Sequence, residues 1–133
     1  MVDVSIVFDG GSRGNPGPAY GSFRLQIGGR KPFEPVRLVF GLGTNNEAEY
    51  KALLAAMKDL LDHLKQLKIN PDDVRLAIKG DSRLVIEQIS GSWKAKDKRM
   101  RALRDEVLSL LGQFGRVEVK HHDRSESVRI LGH

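Results

Sequence analysis

The sequence predicts an α/β protein, a mixed β-sheet with helices packed against its faces. Three observations carry this. Apolar residues alternate with a period of two early in the chain, then recur at helical spacing, then switch between the two patterns. The resulting order is three strands, a helix, a strand, two helices and a strand. An antiparallel start followed by strand–helix–strand crossings gives a sheet with both kinds of pairing.

The first strand runs from Asp3 to Asp9, with Val2, Val4, Ile6 and Phe8 alternating against Asp3, Ser5 and Val7. Gly10 to Pro18 reads as a loop, because glycine and proline punctuate it. Two more strands, Gly21–Gly28 and Val36–Leu42, flank a Gly28-Gly29 and Pro32 hairpin link. Leu53, Leu54, Met57, Leu60, Leu61, Leu64 and Leu67 then fall at helical spacing. Thr44 or Asn45 caps that helix, and Asn70-Pro71 ends it. Val74–Gly80 is a strand. Ser82–Ser90 is a short helix closed by Gly91, and Arg99–Leu111 is an amphipathic helix. Val117–His121 is the last strand, and the remaining dozen residues are polar.

The chain of 133 residues suits one domain with one core over residues 1–133. It has no cysteine, which excludes disulfides, zinc–thiolate sites and thiol catalysis. No apolar run approaches the ~20 residues that span a bilayer. The N-terminus lacks a basic-then-apolar leader pattern, so the expected location is cytoplasmic, with no membrane partner. The net charge of +5 leans towards polyanionic partners.

Three carboxylates stand at informative places. Asp9 closes the first strand, Asp81 closes the fourth, and Glu49 lies near the start of the long helix. If the two strands are parallel neighbours, both aspartates reach the carboxyl edge of the sheet, where open α/β sheets place their sites. Each acid alone is ordinary. Three at one edge repel each other unless a cation joins them. Mg²⁺ and Mn²⁺ are hard ions that take carboxylate oxygens and water. Two such ions about 4 Å apart stabilise the attacking and leaving oxygens of a phosphodiester. No serine–histidine–aspartate order stands out.

Three stretches together carry a resemblance. They are Phe8-Asp9-Gly10-Gly11-Ser12-Arg13-Gly14-Asn15-Pro16-Gly17-Pro18-Ala19, Thr44-Asn45-Asn46-Glu47-Ala48-Glu49-Tyr50, and Gly80-Asp81-Ser82-Arg83-Leu84-Val85. In this order and spacing they resemble the signatures of type 1 ribonuclease H. The resemblance implies a ribonuclease H-like fold, a five-stranded mixed sheet flanked by helices. It implies a two-metal site on Asp9, Glu49 and Asp81, with Glu49 rather than Glu47 as the second acid. It implies hydrolysis of the RNA strand of an RNA–DNA hybrid, leaving 5′-phosphate and 3′-hydroxyl ends. It further implies that Gly11, Ser12, Arg13, Asn15, Asn45 and Asn46 contact the hybrid, and that Thr44 and Asn15 help hold a DNA phosphate. Trp93, Lys94, Lys96, Lys98, Arg99, Arg101 and Arg104 form a second candidate surface for phosphates. The segment from Gly91 to Leu103 is too short for the extra basic helix of some members.

The C-terminal signature breaks. Arg124 fits the family arginine, but Ser127 stands where asparagine is usual and Leu131 where the fourth catalytic aspartate belongs. The chain ends two residues later, too soon for the usual helix. His133 is the expected replacement, as a fourth catalytic and metal ligand through its imidazole or terminal carboxylate. An imidazole would favour Mn²⁺ over Mg²⁺. Asp123 and Glu126 are reserve acids whose spacing fits poorly. His121 reads as an ordinary half-buried residue, His122 stays open, and His63 reads as facing solvent. The fold supplies the three acids from one chain, so a monomer suffices. Two other functions remain open: a hybrid-binding module weakened by loss of the fourth acid, and a nuclease on double-stranded RNA or DNA junctions.

Overall fold

The structure is a computed structural model that describes residues 1–132. Five strands form one sheet in the order β3-β2-β1-β4-β5. These are β1 (Val2–Ser12), β2 (Gly17–Ile27), β3 (Val36–Gly43), β4 (Val74–Gly80) and β5 (Arg116–His121). The first three strands are antiparallel, whereas β1–β4 and β4–β5 are parallel. The predicted mixed, five-stranded sheet is therefore present.

Three helices, α1 (Asn45–Gln66), α2 (Arg83–Ile89) and α3 (Lys98–Leu111), pack together. The core lies between them and the sheet. Val4, Ile6 and Phe8 of β1 meet Leu53, Met57 and Leu60 of α1 there, all buried. Since side chains alternate along a strand, Ser5 and Val7 point the other way. There Val7, Arg24 and Lys79 line a shallow hollow with Ile130 of a fourth helix, α4 (Arg124–Leu131).

Three expectations are corrected here. The strand expected to end at Asp9 continues to Ser12, and β2 begins at Gly17. Pairing of Gly10 with Gly21, Gly11 with Tyr20 and Ser12 with Ala19 carries the glycines into the ladder. The tail also has room for a helix. Ser127 and Leu131, one turn apart, are both fully buried. Arg24 donates to the Ile130 carbonyl and Arg37 to that of Leu131, each at 3.3 Å. Two cations thus meet the negative end of α4. Gly132, at φ 78°, closes it in the left-handed conformation that glycine tolerates. Finally, His63 does not simply face solvent: its ring lies 4.5 Å from that of Phe33. Among the described residues, no helix is long and apolar enough to cross a membrane.

Candidate active site

Register builds the site. Phe8 of β1 lies opposite Gly80 of β4 in a parallel pair. Asp9 and Asp81 are each one residue further on, so they stand side by side at the carboxyl edge of the two central strands. Glu49 arrives from α1. Thr44 caps that helix with a reciprocal pair: its Oγ accepts from the Glu47 amide at 3.1 Å, and Glu47 accepts from the Thr44 amide at 3.3 Å. Glu47 is thereby used for capping, and Glu49 is left to face the sheet. Close approach requires Gly10. A Cβ there would lie 2.5 Å from the Ala48 carbonyl carbon and 2.7 Å from the Glu49 nitrogen.

The three predicted acids are brought together. One carboxylate oxygen from each of Asp9, Glu49 and Asp81 lies within 4.8 Å of the others. Asp9 is 6% and Glu49 7% exposed. Glu49 Oε1 and Asp81 Oδ2 are buried and have no hydrogen-bond partner. Burial, then the neighbouring Asp9 and Asp81 carboxylates, push the Glu49 carboxyl up to about 9, against a hydrogen bond from the Gly10 amide. Burial and Asp9 also raise Asp81, while Ser127 and Arg124 favour its charged form. At ~5 Å and an effective dielectric near 20, each pair of charged carboxylates repels by roughly 3 kcal/mol. Either protons or a cation must relieve that. Unpartnered, hard carboxylate oxygens aimed at one point fit Mg²⁺ or Mn²⁺.

The expected nucleic-acid residues lie at the end of β1, in the turn to β2 and at the start of α1, the strand and helix that carry Asp9 and Glu49. Asn45 Oδ1 accepts from the Ser12 amide at 2.8 Å and its hydroxyl at 3.1 Å. Asn15 Oδ1 accepts from the Asn45 amide at 3.1 Å. The turn between β1 and β2 is thus tied to the start of α1. Arg13, Asn15, Asn45 and Asn46 are exposed, and Thr44 is half-buried in the cap. Gly11 is buried, with the Tyr20 ring over it: a Cβ would lie 2.7 Å from Tyr20 Oη. Trp93, Lys94, Lys96, Lys98, Arg99 and Arg101 are exposed and Arg104 is half-buried; no helix intervenes between α2 and α3.

The fourth-ligand expectation, His133, lies outside the described residues. The reserve acids do not join the cluster among the described residues. Asp123 occupies the cap of α4, and Glu126 pairs with Arg129 at 2.6 Å. Leu131 is fully buried. Sequence reasoning missed two contributions. One is Gly10 as a spacer, for which the only signal was a glycine next to an acid. The other is Ser127: His122 Nε2 lies 2.8 Å from its Oγ, and His121 Nε2 lies 3.2 Å from the Asp81 backbone oxygen.

Comparison with known proteins agrees with this fold. The profile of a family described as reverse transcriptase-like matches residues 36–129. Ribonuclease HI of Halobacterium salinarum is 36% identical over 126 residues, which cover 95% of this chain and 59% of that protein. The chain thus spans under two thirds of that relative's length. The crystal structure of RNase H1 from Halobacterium salinarum superposes with a TM-score of 0.83 at 34% identity, covering 96% of this chain and 91% of that one. The crystal structure of LC11-RNase H1 in complex with an RNA/DNA hybrid superposes with a TM-score of 0.84 at 26% identity, covering 96% and 90%.

Proposed function

This chain belongs to the type 1 ribonuclease H family, and from that premise we propose that it is an endonuclease hydrolysing the RNA strand of RNA–DNA hybrids. The observation that carries the reading is the cluster of buried Asp9 and Glu49 with half-buried Asp81, in which one oxygen each of Glu49 and Asp81 lacks a hydrogen-bond partner. These three side chains would hold two Mg²⁺ or Mn²⁺ ions. Such ions, when bound, supply an activated water and charge stabilisation at the phosphodiester. The products are 5′-phosphate and 3′-hydroxyl ends. The chain acts as a monomer.

The protein's own part is placement and recognition. The β1–β4 register fixes two acids, and the capped start of α1 fixes the third. Exposed Arg13, Asn15, Asn45 and Asn46, with Gly11, Ser12 and Thr44, form the surface that meets the hybrid. Discrimination against DNA rests on the 2′-hydroxyl and groove shape, the signals available without reading sequence. The basic side chains from Lys94 to Arg101 add attraction to phosphates, so affinity falls with salt. The fourth ligand is assigned to His133.

The test is cleavage of a labelled hybrid in Mg²⁺ and separately in Mn²⁺, beside Asp9→Asn. Cleavage confined to the RNA strand and lost in the variant is expected. Buried Leu131, standing where the family carries an aspartate, favours a second reading, a hybrid-binding module with a disabled centre. Retained binding with no cleavage in either metal would replace the first reading by that one. Cleavage of double-stranded RNA or a DNA junction instead would redirect the substrate.

A further inference from the structure

Both the backbone and the side chain of Asp81 are held from one segment, His121 to Ser127. Parallel pairing sets His121 opposite Gly80, and the His122 amide donates to the Gly80 carbonyl at 2.9 Å. Two imidazoles are thereby fixed beside Asp81. His121 Nε2 lies 3.2 Å from the Asp81 carbonyl oxygen. A carbonyl only accepts, so this bond requires a proton on His121 Nε2.

The second contact is less direct. His122 Nε2 lies 2.8 Å from Ser127 Oγ. Ser127 is fully buried on α4, and its hydroxyl favours the charged form of the Asp81 carboxylate. A serine hydroxyl has one proton, and an ionised carboxylate has none to give. With Asp81 ionised, as metal binding requires, the serine proton faces its carboxylate and Ser127 Oγ accepts from His122. Nε2 of His122 carries the proton, and Nδ1 of the neutral ring is bare. A lone hydroxyl rotates. One that accepts from a fixed imidazole has its own proton aimed elsewhere, here at the carboxylate.

We propose that Ser127 is a positioning residue of the metal centre: bridging His122 and Asp81, its hydroxyl fixes the rotation of the Asp81 carboxylate so that Oδ2 faces the cluster. Oδ2 is the buried oxygen with no hydrogen-bond partner. A carboxylate torsion is broad and two-fold, so it needs an outside contact to hold one setting. Partners that orient a metal-binding carboxylate are worth roughly 10- to 100-fold in metal affinity. The inference rests on the reading that Asp9, Glu49 and Asp81 hold divalent ions.

The experiment measures Mn²⁺ affinity by calorimetry for the full chain, Ser127→Ala, Ser127→Asn, His122→Ala and the double variant Ser127→Ala/His122→Ala. Folding is checked by circular dichroism. In parallel, ¹⁵N NMR of the protein saturated with Mg²⁺ reads the His122 tautomer. Ser127→Ala is expected to weaken Mn²⁺ binding by about tenfold or more. Ser127→Asn, which keeps a donor and an acceptor, recovers most of it. The double variant binds no more weakly than Ser127→Ala, because both changes break one chain. His122 is protonated on Nε2 and loses that fixed tautomer in Ser127→Ala. A folded Ser127→Ala with affinity within twofold of the unchanged protein overturns the proposal, as does a proton on His122 Nδ1. An absence of Mn²⁺ binding in the unchanged protein would overturn both this inference and the metal reading. A Ser127 effect on Mn²⁺ without any hybrid cleavage would overturn the substrate reading alone.

Discussion

Replacing Gly10 with alanine tests how the third acid is placed. The added methyl would lie 2.5 Å from the Ala48 carbonyl carbon, 2.6 Å from its oxygen and 2.7 Å from the Glu49 nitrogen. Carbon contacts relax at about 3.5 Å or more. Either β1 or the first turns of α1 must therefore yield by about 1 Å. These contacts are backbone, so no side chain can swing aside. Forcing a methyl into packed structure costs about 1–3 kcal/mol. The displaced turn carries Glu49, and the Gly10 amide that hydrogen-bonds its carboxylate moves too. A misplacement of about 1 Å at a reacting site costs about 100-fold in rate. Urea unfolding and hybrid cleavage, measured side by side, check both numbers. Gly29→Ala is the control, because a methyl there meets nothing within 4 Å. Wild-type stability and cleavage in Gly10→Ala would refute the steric argument. Lost stability with an unchanged rate per folded molecule would refute its link to Glu49.

Without metal, Glu49 keeps its proton to about pH 9 when folded but releases it near 4.5 when unfolded. The folded state then binds more protons, so this group's contribution to stability is whole below about 4.5 and lost as pH rises to about 9. The slope reaches about 1.4 kcal/mol per pH unit. Urea titrations in EDTA from pH 5.5 to 8.5 should show it in the native chain and lose it in Glu49→Gln; equal slopes would sink the assignment. Saturating Mn²⁺ should flatten the profile, since the cation favours the ionised form. Asp9→Asn should raise metal-free stability by about 1–2 kcal/mol while abolishing cleavage, because the Asp9 carboxylate that crowds Asp81 and Glu49 is gone. A lower thermal midpoint in EDTA would contradict that. Tyr50→Phe should cost about 1–3 kcal/mol, since Tyr50 Oη donates to Gln88 Oε1 and both residues are buried. Cleavage per folded molecule should not change.

What the sequence made legible follows from local patterns. Period-two alternation located the strands, and helical spacing located α1 and α3. The choice of Glu49 over Glu47 came from the family pattern; the structure supplies the reason, because Glu47 is used in the Thr44 capping box. The errors come from tertiary contacts. Gly10 and Gly11 carry loop propensity, but a partner strand brings them into the ladder. The polar tail gave little sign of α4, whose carbonyls are held by Arg24 and Arg37 from distant strands. Ser127 was visible only as a mismatch, since its role depends on an imidazole and a carboxylate that folding brings to it.

The parallel pairing of β1 with β4 also orders events in time. Val2 pairs with Val74, so this ladder closes over the whole of β2, β3 and α1. Contacts that distant form slowly, after the loop-closure entropy has been met. The hairpins β1–β2–β3 and the packing of α1 on them need only the earlier chain. Asp9 and Glu49 can therefore meet before Asp81 arrives. On a ribosome, the centre stays incomplete until β4 has emerged and docked.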